Sequence, residues 1–229
     1  MVIGSGLLGK AFDAFQEKED ILIFCSGVSN STCQSETEFA RESDLLSRSL
    51  LEYKNCRFVY FSTCSVYDPT LEHQAYVKHK LLMESKIRNY HSDYLIFRLS
   101  NLVGQTDNPH TIINFFYKAI DTGIPFTLWQ NAERNLIDVN DVLRVCQHIL
   151  SQPKFTHRTI NIANPTSYPV TEIVNAIEKH LGKTGNYTLQ QKGAAFQIPL
   201  DDCLPIYDSL QLSFEKGYLT RLLQTYFPI

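Results

Sequence analysis

The sequence predicts an α/β fold in which a parallel β-sheet is covered by helices on both faces. Short apolar segments of strand length alternate with segments of helical periodicity through about the first hundred residues. A glycine-rich turn follows the first apolar segment, as expected where a strand leads directly into a helix. The 229 residues are 44% hydrophobic and 20% charged, which suits one globular domain with a sizeable core. Strands and helices in this alternation form doubly wound sheets.

The predicted elements alternate regularly in the N-terminal half and less clearly beyond about residue 105. We expect strands at residues 2–3, 21–25, 58–61, 94–97 and 159–162. We expect helices from residue 7 to about 18 and at residues 36–52, 75–89, 114–121, 139–151, 170–181 and 215–226. Residues 187–208 contain prolines and glycines without a clear period, so a loop is predicted there.

Composition and charge exclude several classes of function. The 21 basic and 24 acidic residues give a net charge of −3 without a basic run, which argues against a nucleic-acid partner. No apolar stretch approaches the roughly 18 residues of a membrane span, and no signal peptide is evident, so we expect no membrane association and a cytoplasmic location. The six cysteines lack metal-finger spacing, and no metal site is predicted.

The glycine-rich turn is the first motif that carries chemistry. It has the form Gly-x-Gly-x-x-Gly, with Gly4, Gly6 and Gly9 separated by Ser5 and by Leu7 and Leu8. Such a turn between strand and helix lets the backbone approach a pyrophosphate, whose charge the amino end of the helix stabilises. The motif alone also fits a turn that only packs a strand against a helix. As a dinucleotide site it would use Gly4, Gly6, Leu7, Leu8 and Gly9.

A second group of residues predicts proton transfer. Residues 58–67 form a strand that ends in hydroxyl side chains, among them Thr63, and a Tyr-x-x-x-Lys segment follows at Tyr76 and Lys80. The i, i+4 spacing places both side chains on one helix face, where a cation lowers the pKa of a neighbouring phenol. Tyr76 could then exchange a proton with a substrate oxygen to which Thr63 is hydrogen-bonded. His79, on the same helix, is expected at the surface.

Five segments, in this order, resemble the NAD-dependent epimerase/dehydratase family, the nucleotide-sugar-modifying branch of the extended short-chain dehydrogenases/reductases. The similar segments are Val-Tyr-x-Ser-Thr-x-x-Val-Tyr at 59–67, Tyr-x-x-x-Lys-x-x-x-Glu at 76–84, Arg-x-x-Asn-x-x-Gly at 98–104, Arg-Asn-x-Ile-x-Val-x-Asp at 134–141, and the strand 159–163. In this family the asparagine of the third segment, here Asn101, usually lies near the sugar nucleotide. The arginine of the fourth, here Arg134, often contacts the diphosphate.

The resemblance implies a Rossmann-like sheet with a small C-terminal substrate-binding lobe. It implies one domain over residues 1–229, with the sheet in about residues 1–110 and 135–165 and the lobe in about 111–134 and 166–229. It implies NAD or NADP as cofactor, with NADP slightly favoured for a reductase, and a nucleotide-sugar substrate. Cys25, Ser26 and Gly27 would join the glycine turn, Tyr76 and Lys80 beside the cofactor. The resemblance also suggests a homodimer formed through the helix that carries Tyr76.

Two departures from the family pattern change the expectation. Only about ten residues separate Gly9 from Ile21, where the family has two further strands, so the sheet should be abbreviated and the segment that distinguishes NAD from NADP is absent. The family's dehydratases carry an Asp-Glu pair after the threonine, whereas this chain has Cys64 and Ser65. Elimination of water needs an acid and a base, so this difference argues against dehydration. Cys64 and Ser65 are instead expected to contact the substrate.

Three functions remain open from the sequence. We favour an NAD(P)-dependent nucleotide-sugar reductase or epimerase that uses Thr63, Tyr76 and Lys80. The alternative is a non-enzymatic relative, a cofactor sensor or scaffold with a degraded nucleotide site, as the shortened N-terminal half would allow. A reductase of a non-sugar carbonyl is a third possibility, against which Asn101 and Arg134 argue.

Overall fold

A five-stranded parallel sheet forms the centre of the molecule in the computed structural model, which describes residues 1–228. Its strands lie in the order β1-β2-β3-β4-β9, and each is paired in parallel with its neighbours. They span β1 Val2–Ile3, β2 Ile21–Phe24, β3 Arg57–Thr63, β4 Tyr94–Leu99 and β9 Arg158–Ile162. The predicted fold class, an abbreviated Rossmann-like sheet, is therefore confirmed.

Helices cover both faces of this sheet. They span α1 Leu7–Ala11, α2 Glu36–Glu52, α3 Ala75–Tyr90, α4 Ile112–Thr122, α5 Val139–Leu150, α6 Val170–Leu181, α7 Leu204–Ser209 and α8 Tyr218–Tyr226. Side chains alternate between faces along each strand, as the pleat requires. Leu22 and Phe24 of β2 pack with α2 and α3, whereas Ile23 packs on the opposite face with α5 and α7 and with Phe12, just after α1.

A second core lies beside the sheet. It joins α4, α6 and α8 to three short two-stranded pairings. The remaining strands are β5 Asn101–Val103, β6 Phe126–Trp129, β7 Glu133–Arg134, β8 Leu136–Asp138, β10 Tyr168–Pro169 and β11 Tyr187–Gln190. β5 pairs with β8 directly after β4, so this second core lies near the carboxyl end of the sheet. Within residues 1–228 no helix is both long and apolar enough to cross a bilayer.

Strand β1 lies at the edge of the sheet, and among the described residues β2 is its one neighbour. In the full doubly wound order two further strands would continue the sheet beyond β1. The segment between β1 and β2 instead holds the five-residue helix α1 and a short 3-10 helix at Asp13–Phe15. The shortening expected from the sequence is thus confirmed.

Two predicted elements differ from the structure. The helix predicted to continue to about residue 18 ends at Ala11, because Phe12 leaves helical geometry and is fully buried against Phe61. The loop predicted at residues 187–208 contains β11, which is stabilised by parallel pairing with the distant β6. It also contains the start of α7, which has a proline in its first turn, where the missing N–H is not needed. Both errors arise from tertiary contacts that a local pattern does not contain.

Candidate active site

A cavity of about 330 Å³ opens at the carboxyl ends of the central strands. This is the edge at which open parallel sheets bind ligands. It is lined by residues of the glycine turn, of the β3–α3 region and of the segment after β4, including Gly6, Gly27, Thr63, Tyr76, Lys80 and Asn101. The structure therefore brings the predicted proton-transfer residues and the glycine turn to one cavity.

The three glycines of the turn have different structural roles. Gly4 has φ +122°, and a Cβ there would lie 2.7 Å from the backbone carbonyl of Cys25, so only glycine fits. A Cβ on Gly9 would collide with the Gly4 carbonyl, which shows how closely α1 packs on the turn. A Cβ on Gly6 would meet nothing within 4 Å, and Gly6 lines the cavity. The turn thus exposes its backbone to the cavity at Gly6 while the outer glycines fix its shape.

Thr63 and Tyr76 meet where β3 ends and α3 begins. The Thr63 hydroxyl donates to Ser65 Oγ over 2.9 Å and accepts from the Ser65 N–H over 3.0 Å. Tyr76, in the first turn of α3, is 7% exposed. Burial raises the pKa of Tyr76, the Thr63 hydroxyl acts in the opposite direction, and the charge of Glu42 raises the pKa further. The phenol is therefore held in its protonated form.

Lys80 lies one turn further along α3, and its ammonium is bound to a buried carboxylate. Lys80 Nζ donates to Glu42 Oε1 over 2.9 Å and to the Tyr60 hydroxyl over 3.1 Å. It lies 5.9 Å from the centre of the Tyr76 ring. Burial lowers the pKa of Lys80, and the Glu42 charge opposes that effect. The pKa of Tyr76 is thus raised and not lowered as expected, mainly because the phenol is buried, and Lys80 beside it is paired with Glu42.

Glu42, on α2, is fully buried and accepts four hydrogen bonds. Besides Lys80, its donors are the Tyr60 hydroxyl at 2.6 Å, the Val28 N–H at 2.6 Å and His79 Nε2 at 3.0 Å. Burial raises the pKa of Glu42, but these donors and the charge of Lys80 outweigh it and hold the pKa at about 2. Glu42 is therefore an ionised carboxylate at neutral pH.

His79 is buried, contrary to the surface position expected from the sequence. It is 7% exposed and stacks on Phe39 with a ring separation of 4.5 Å. Its Nε2 donates to Glu42, because an ionised carboxylate can only accept. The physical reason for the difference is α2, which packs on α3 and brings both Phe39 and Glu42 against His79. We name Glu42, Tyr60, His79 and Lys80 the Glu42 cluster.

A second buried carboxylate, Glu84, lies one turn beyond Lys80 on α3. It accepts from Ser62 over 2.7 Å, from Arg88 over 2.6 Å and from two nitrogens of Arg98 over 2.7 and 2.8 Å. These bonds connect α3 to β3 and β4. None of Glu84, Arg88 and Arg98 is among the residues that line the cavity. We name Glu84, Ser62, Arg88 and Arg98 the Glu84 cluster, and its role is to hold the helix that carries Tyr76 and Lys80.

Comparison with known families identifies the family of the chain. The model of the NAD dependent epimerase/dehydratase family matches residues 9–163, about two thirds of the chain. The chain belongs to this family. No curated protein sequence matches it as a relative. The family description names NAD, in agreement with the cofactor class predicted from the sequence.

Solved structures share the fold of this chain at low sequence identity. RMD from Pseudomonas aeruginosa, in complex with NADPH, is 16% identical with a TM-score of 0.73, covering 96% of this chain and 95% of that one. UDP-glucose 4-epimerase of Thermus thermophilus, with NAD, is 16% identical with a TM-score of 0.68, covering 94% and 79%. A dTDP-glucose 4,6-dehydratase from Bacillus anthracis, with NAD, is 16% identical with a TM-score of 0.70, covering 96% and 75%.

The other cofactor-side residues predicted for this family member lie at or beside the cavity. Leu7, Leu8, Cys25 and Gly27 line it. Burial raises the pKa of the Cys25 thiol to about 12, so it is a neutral wall residue. Ser26 is not in the lining, and its hydroxyl accepts a bond from Arg41 over 3.2 Å.

Three of the four predicted substrate contacts line the cavity. Cys64 is buried and donates to the Arg98 carbonyl over 3.2 Å, and burial raises the pKa of its thiol. Ser65 and Asn101 line the cavity, and Asn101 Nδ2 donates to the Asn135 carbonyl over 2.9 Å. Arg134 is not in the lining, and its guanidinium donates to the neighbouring Glu133 carbonyl.

Several residues of the site were not identified from the sequence. Glu42 lay within the predicted helix at residues 36–52, four residues before Leu46 and therefore on its apolar face, which is an unusual place for a carboxylate. A carboxylate on an apolar helix face was the sequence feature that could have identified Glu42. Asn135 also lines the cavity and belongs to the segment at 134–141, although only Arg134 of that segment was expected at the site. Asn108 lines the cavity too, and no local pattern marked it.

Proposed function

We propose that the protein is an NAD(P)-dependent reductase or epimerase of a nucleotide sugar, with Thr63, Tyr76 and Lys80 as its proton-transfer residues. The observation that carries the proposal is that these three side chains line the same cavity as the glycine turn. A proton-transfer group must lie within hydrogen-bonding reach of the reacting oxygen, and a shared cavity makes this feasible.

The residues of the turn fit a dinucleotide. Gly6 leaves open space where a pyrophosphate would lie against the backbone, and the conformation of Gly4 is one that other residues rarely adopt. Lys80 uses two of its three ammonium donors on Glu42 and Tyr60, which leaves one for a cofactor hydroxyl. A bound NAD(P) would supply or accept a hydride. The choice between NAD and NADP stays open, with NADP slightly favoured for a reductase.

The chain's own residues would handle the proton. In reduction, Tyr76 donates its phenolic proton to the carbonyl oxygen as the carbon receives hydride. Thr63 donates a hydrogen bond to the same oxygen after giving up the bond to Ser65 Oγ. In epimerisation, Tyr76 must first accept a proton from a hydroxyl group and later return it. Ser65 and Asn101, and less directly Cys64, are proposed to contact the sugar. Arg134 is proposed to bind the diphosphate, for which its guanidinium must release the hydrogen bond to the Glu133 carbonyl.

The lack of an acid–base pair after Thr63 supports reduction or epimerisation over dehydration. The positions next to Thr63 are Cys64, whose thiol is neutral and buried, and Ser65, whose hydroxyl is bonded to Thr63. Neither provides the carboxylates that elimination of water requires. We therefore propose that dehydration is not the reaction of this protein, although a dehydratase is among the structures that share its fold.

The test is the substitution Tyr76→Phe. Turnover of UDP-, GDP- and dTDP-hexoses and their 4-keto forms is followed with NAD(H) and NADP(H), and binding is measured by calorimetry. We expect Tyr76→Phe to abolish turnover and to retain cofactor binding. Tyr90→Phe, on the exposed end of the same helix, should behave as the wild type. Equal turnover in wild type and Tyr76→Phe would overturn the assignment.

A non-enzymatic role is the alternative, and the edge position of β1 favours it. Without strands beyond β1, the adenine end of a dinucleotide would have fewer protein contacts than in the complete fold. Cofactor binding without turnover of any sugar nucleotide in the panel would support this alternative. Absence of both binding and turnover at millimolar cofactor would exclude a dinucleotide function.

Further properties expected from the family resemblance are proposals. Leu81 and Leu82 on α3 are 40% and 54% exposed, which suits the proposed homodimer contact through this helix. The second core around α4, α6 and α8 is proposed to form the main part of the substrate-binding lobe. A cytoplasmic location is likewise kept as a proposal.

A further inference from the structure

The Glu42 cluster raises the question of which form of Tyr76 the protein maintains. A free lysine next to a phenol stabilises the phenolate, whereas a lysine paired with a carboxylate forms a neutral unit. Lys80 is 3% exposed and Glu42 is fully buried, so solvent does little to screen this pair. The charge of Glu42 therefore acts on Tyr76 as well as on Lys80, and it raises the Tyr76 pKa, opposite to the effect of an unpaired lysine.

We infer that Glu42 is a positioning residue that pairs with Lys80 and thereby keeps Tyr76 protonated, which favours reduction of a carbonyl over abstraction of a proton from a hydroxyl. The inference rests on the proposed function for the direction of the reaction. Its electrostatic part concerns only residues of this chain.

The geometry of the cluster holds Glu42 and Lys80 together as an ion pair. Gly27 lies directly beside it, and a Cβ at that position would lie 2.5 Å from Lys80 Nζ and 3.0 Å from Glu42 Oε1. Both Glu42 oxygens are saturated, one by Lys80 and Tyr60 and the other by Val28 and His79. A carboxylate held by four donors cannot move away from Lys80 without losing bonds in a buried site.

Other ionisable groups near Tyr76 do not replace this effect. Thr63 and Cys64 face Tyr76 from β3 and the turn that follows it, and neither carries a charge. Around Lys80, Glu84 lies further along α3 and Arg41 lies on α2, and their charges act on Lys80 in opposite directions. His79 and Tyr60 contact Glu42 rather than Tyr76. Glu42 is thus the carboxylate that contacts Lys80 directly.

Reduction and epimerisation need different protonation states of Tyr76 at the start of the reaction. In reduction, NAD(P)H would supply a hydride to the carbonyl carbon and would itself be oxidised to NAD(P)⁺. The C=O π pair moves onto oxygen, and that oxygen forms a bond to the proton that Tyr76 releases. This step requires the protonated phenol. Oxidation of a hydroxyl, the first step of epimerisation, requires the phenolate instead, and the Glu42–Lys80 pair disfavours that form.

The test is a titration of the ligand-free protein, so that it does not depend on turnover. Phenolate formation is followed by ultraviolet absorbance, and the signal of Tyr76 is isolated by subtracting the matching Tyr76→Phe protein. Glu42→Gln keeps the shape of the side chain and removes its charge. We expect the Tyr76 ionisation to move to lower pH by about one to two units in Glu42→Gln. An unchanged midpoint in a folded Glu42→Gln protein would overturn the inference.

Two further variants separate a charge effect from loss of structure. Glu84→Gln removes the other buried carboxylate, which lies on α3, and should leave the Tyr76 midpoint within about half a unit of the wild type. If Glu42→Gln does not fold, the double variant Glu42→Gln/Lys80→Gln replaces the whole pair by neutral groups. Its Tyr76 midpoint should match the wild type, because the pair is neutral. A rise of more than one unit would show that Lys80 acts unpaired and would overturn the inference.

Failure of the inference and failure of the proposed function are distinguishable. A shifted titration in Glu42→Gln without turnover by the wild type would support the electrostatic part and refute the enzyme. Turnover by the wild type with an unshifted titration would support the enzyme and refute the role of Glu42.

Discussion

Glu42 and Glu84 are two buried glutamates in similar surroundings with different consequences. Each has no exposed side-chain surface and accepts a bond from a hydroxyl of β3, Tyr60 for Glu42 and Ser62 for Glu84. Each also accepts bonds from basic residues of α3. The partners of Glu84 include two arginines, and neither they nor Glu84 line the cavity, whereas Glu42 pairs with Lys80 in the cavity wall. The partner and the place of a buried carboxylate therefore decide its function.

The largest expected effect is a loss of stability in both clusters, and the ionisation of Tyr76 distinguishes them. Glu42→Gln leaves Lys80, which is 3% exposed, and Glu84→Gln leaves Arg98, which is 16% exposed, without a counter-charge, and breaking such an ion pair typically costs about 3–5 kcal/mol. We expect both variants to lose free energy of unfolding in that range, measured by urea denaturation at pH 7. Only Glu42→Gln should also move the Tyr76 ionisation. Equal effects of both variants on that ionisation would remove the distinction between the clusters.

Acid pH should weaken the Glu42 cluster within a defined window. The folded-state pKa of Glu42 is about 2, below its usual value of 4.5, so its contribution is fully present above about pH 4.5. It is lost as the pH falls towards 2, with about 3 kcal/mol at stake. Urea denaturation between pH 5 and pH 2 should show the difference between wild type and Glu42→Gln shrinking. A constant difference across this range would contradict a low Glu42 pKa.

Gly27→Ala should perturb the Glu42 cluster and leave the Glu84 cluster intact. The added methyl group would crowd Lys80 Nζ and Glu42, and overpacking of this kind costs about 1–3 kcal/mol. Gly6→Ala is the matched control, because its methyl group would point into open space. We expect Gly6→Ala to keep wild-type stability in thermal unfolding and to weaken cofactor binding in calorimetry. Destabilisation by Gly6→Ala as large as that by Gly27→Ala would show that crowding at Gly27 is not specific.

The sequence predicted the central strands and the Tyr76–Lys80 helix because these elements have clear local patterns. Strand and helix periodicity located β2 and α2, and the i, i+4 spacing placed Tyr76 and Lys80 on one side of α3. The partner of Lys80 could not be predicted, since Glu42 lies 38 positions earlier and meets it only when α2 packs on α3. The same reason explains β11, which exists through its pairing with β6.

The position of β1 at the sheet edge has a consequence for the handedness of the chain path. Both β1–α1–β2 and β2–α2–β3 step in the same direction across the sheet, but their helices lie on opposite faces, so the two crossovers have opposite hands. Right-handed crossovers account for about 98% of such units. In the complete doubly wound order, the helix that follows the first strand lies on the same face as α1. It leads to a strand on the other side of β1, away from β2, and that crossover is right-handed. In the shortened chain the same helix leads to β2 instead, so the β1–α1–β2 crossover is left-handed. The order of the five remaining strands is unaffected.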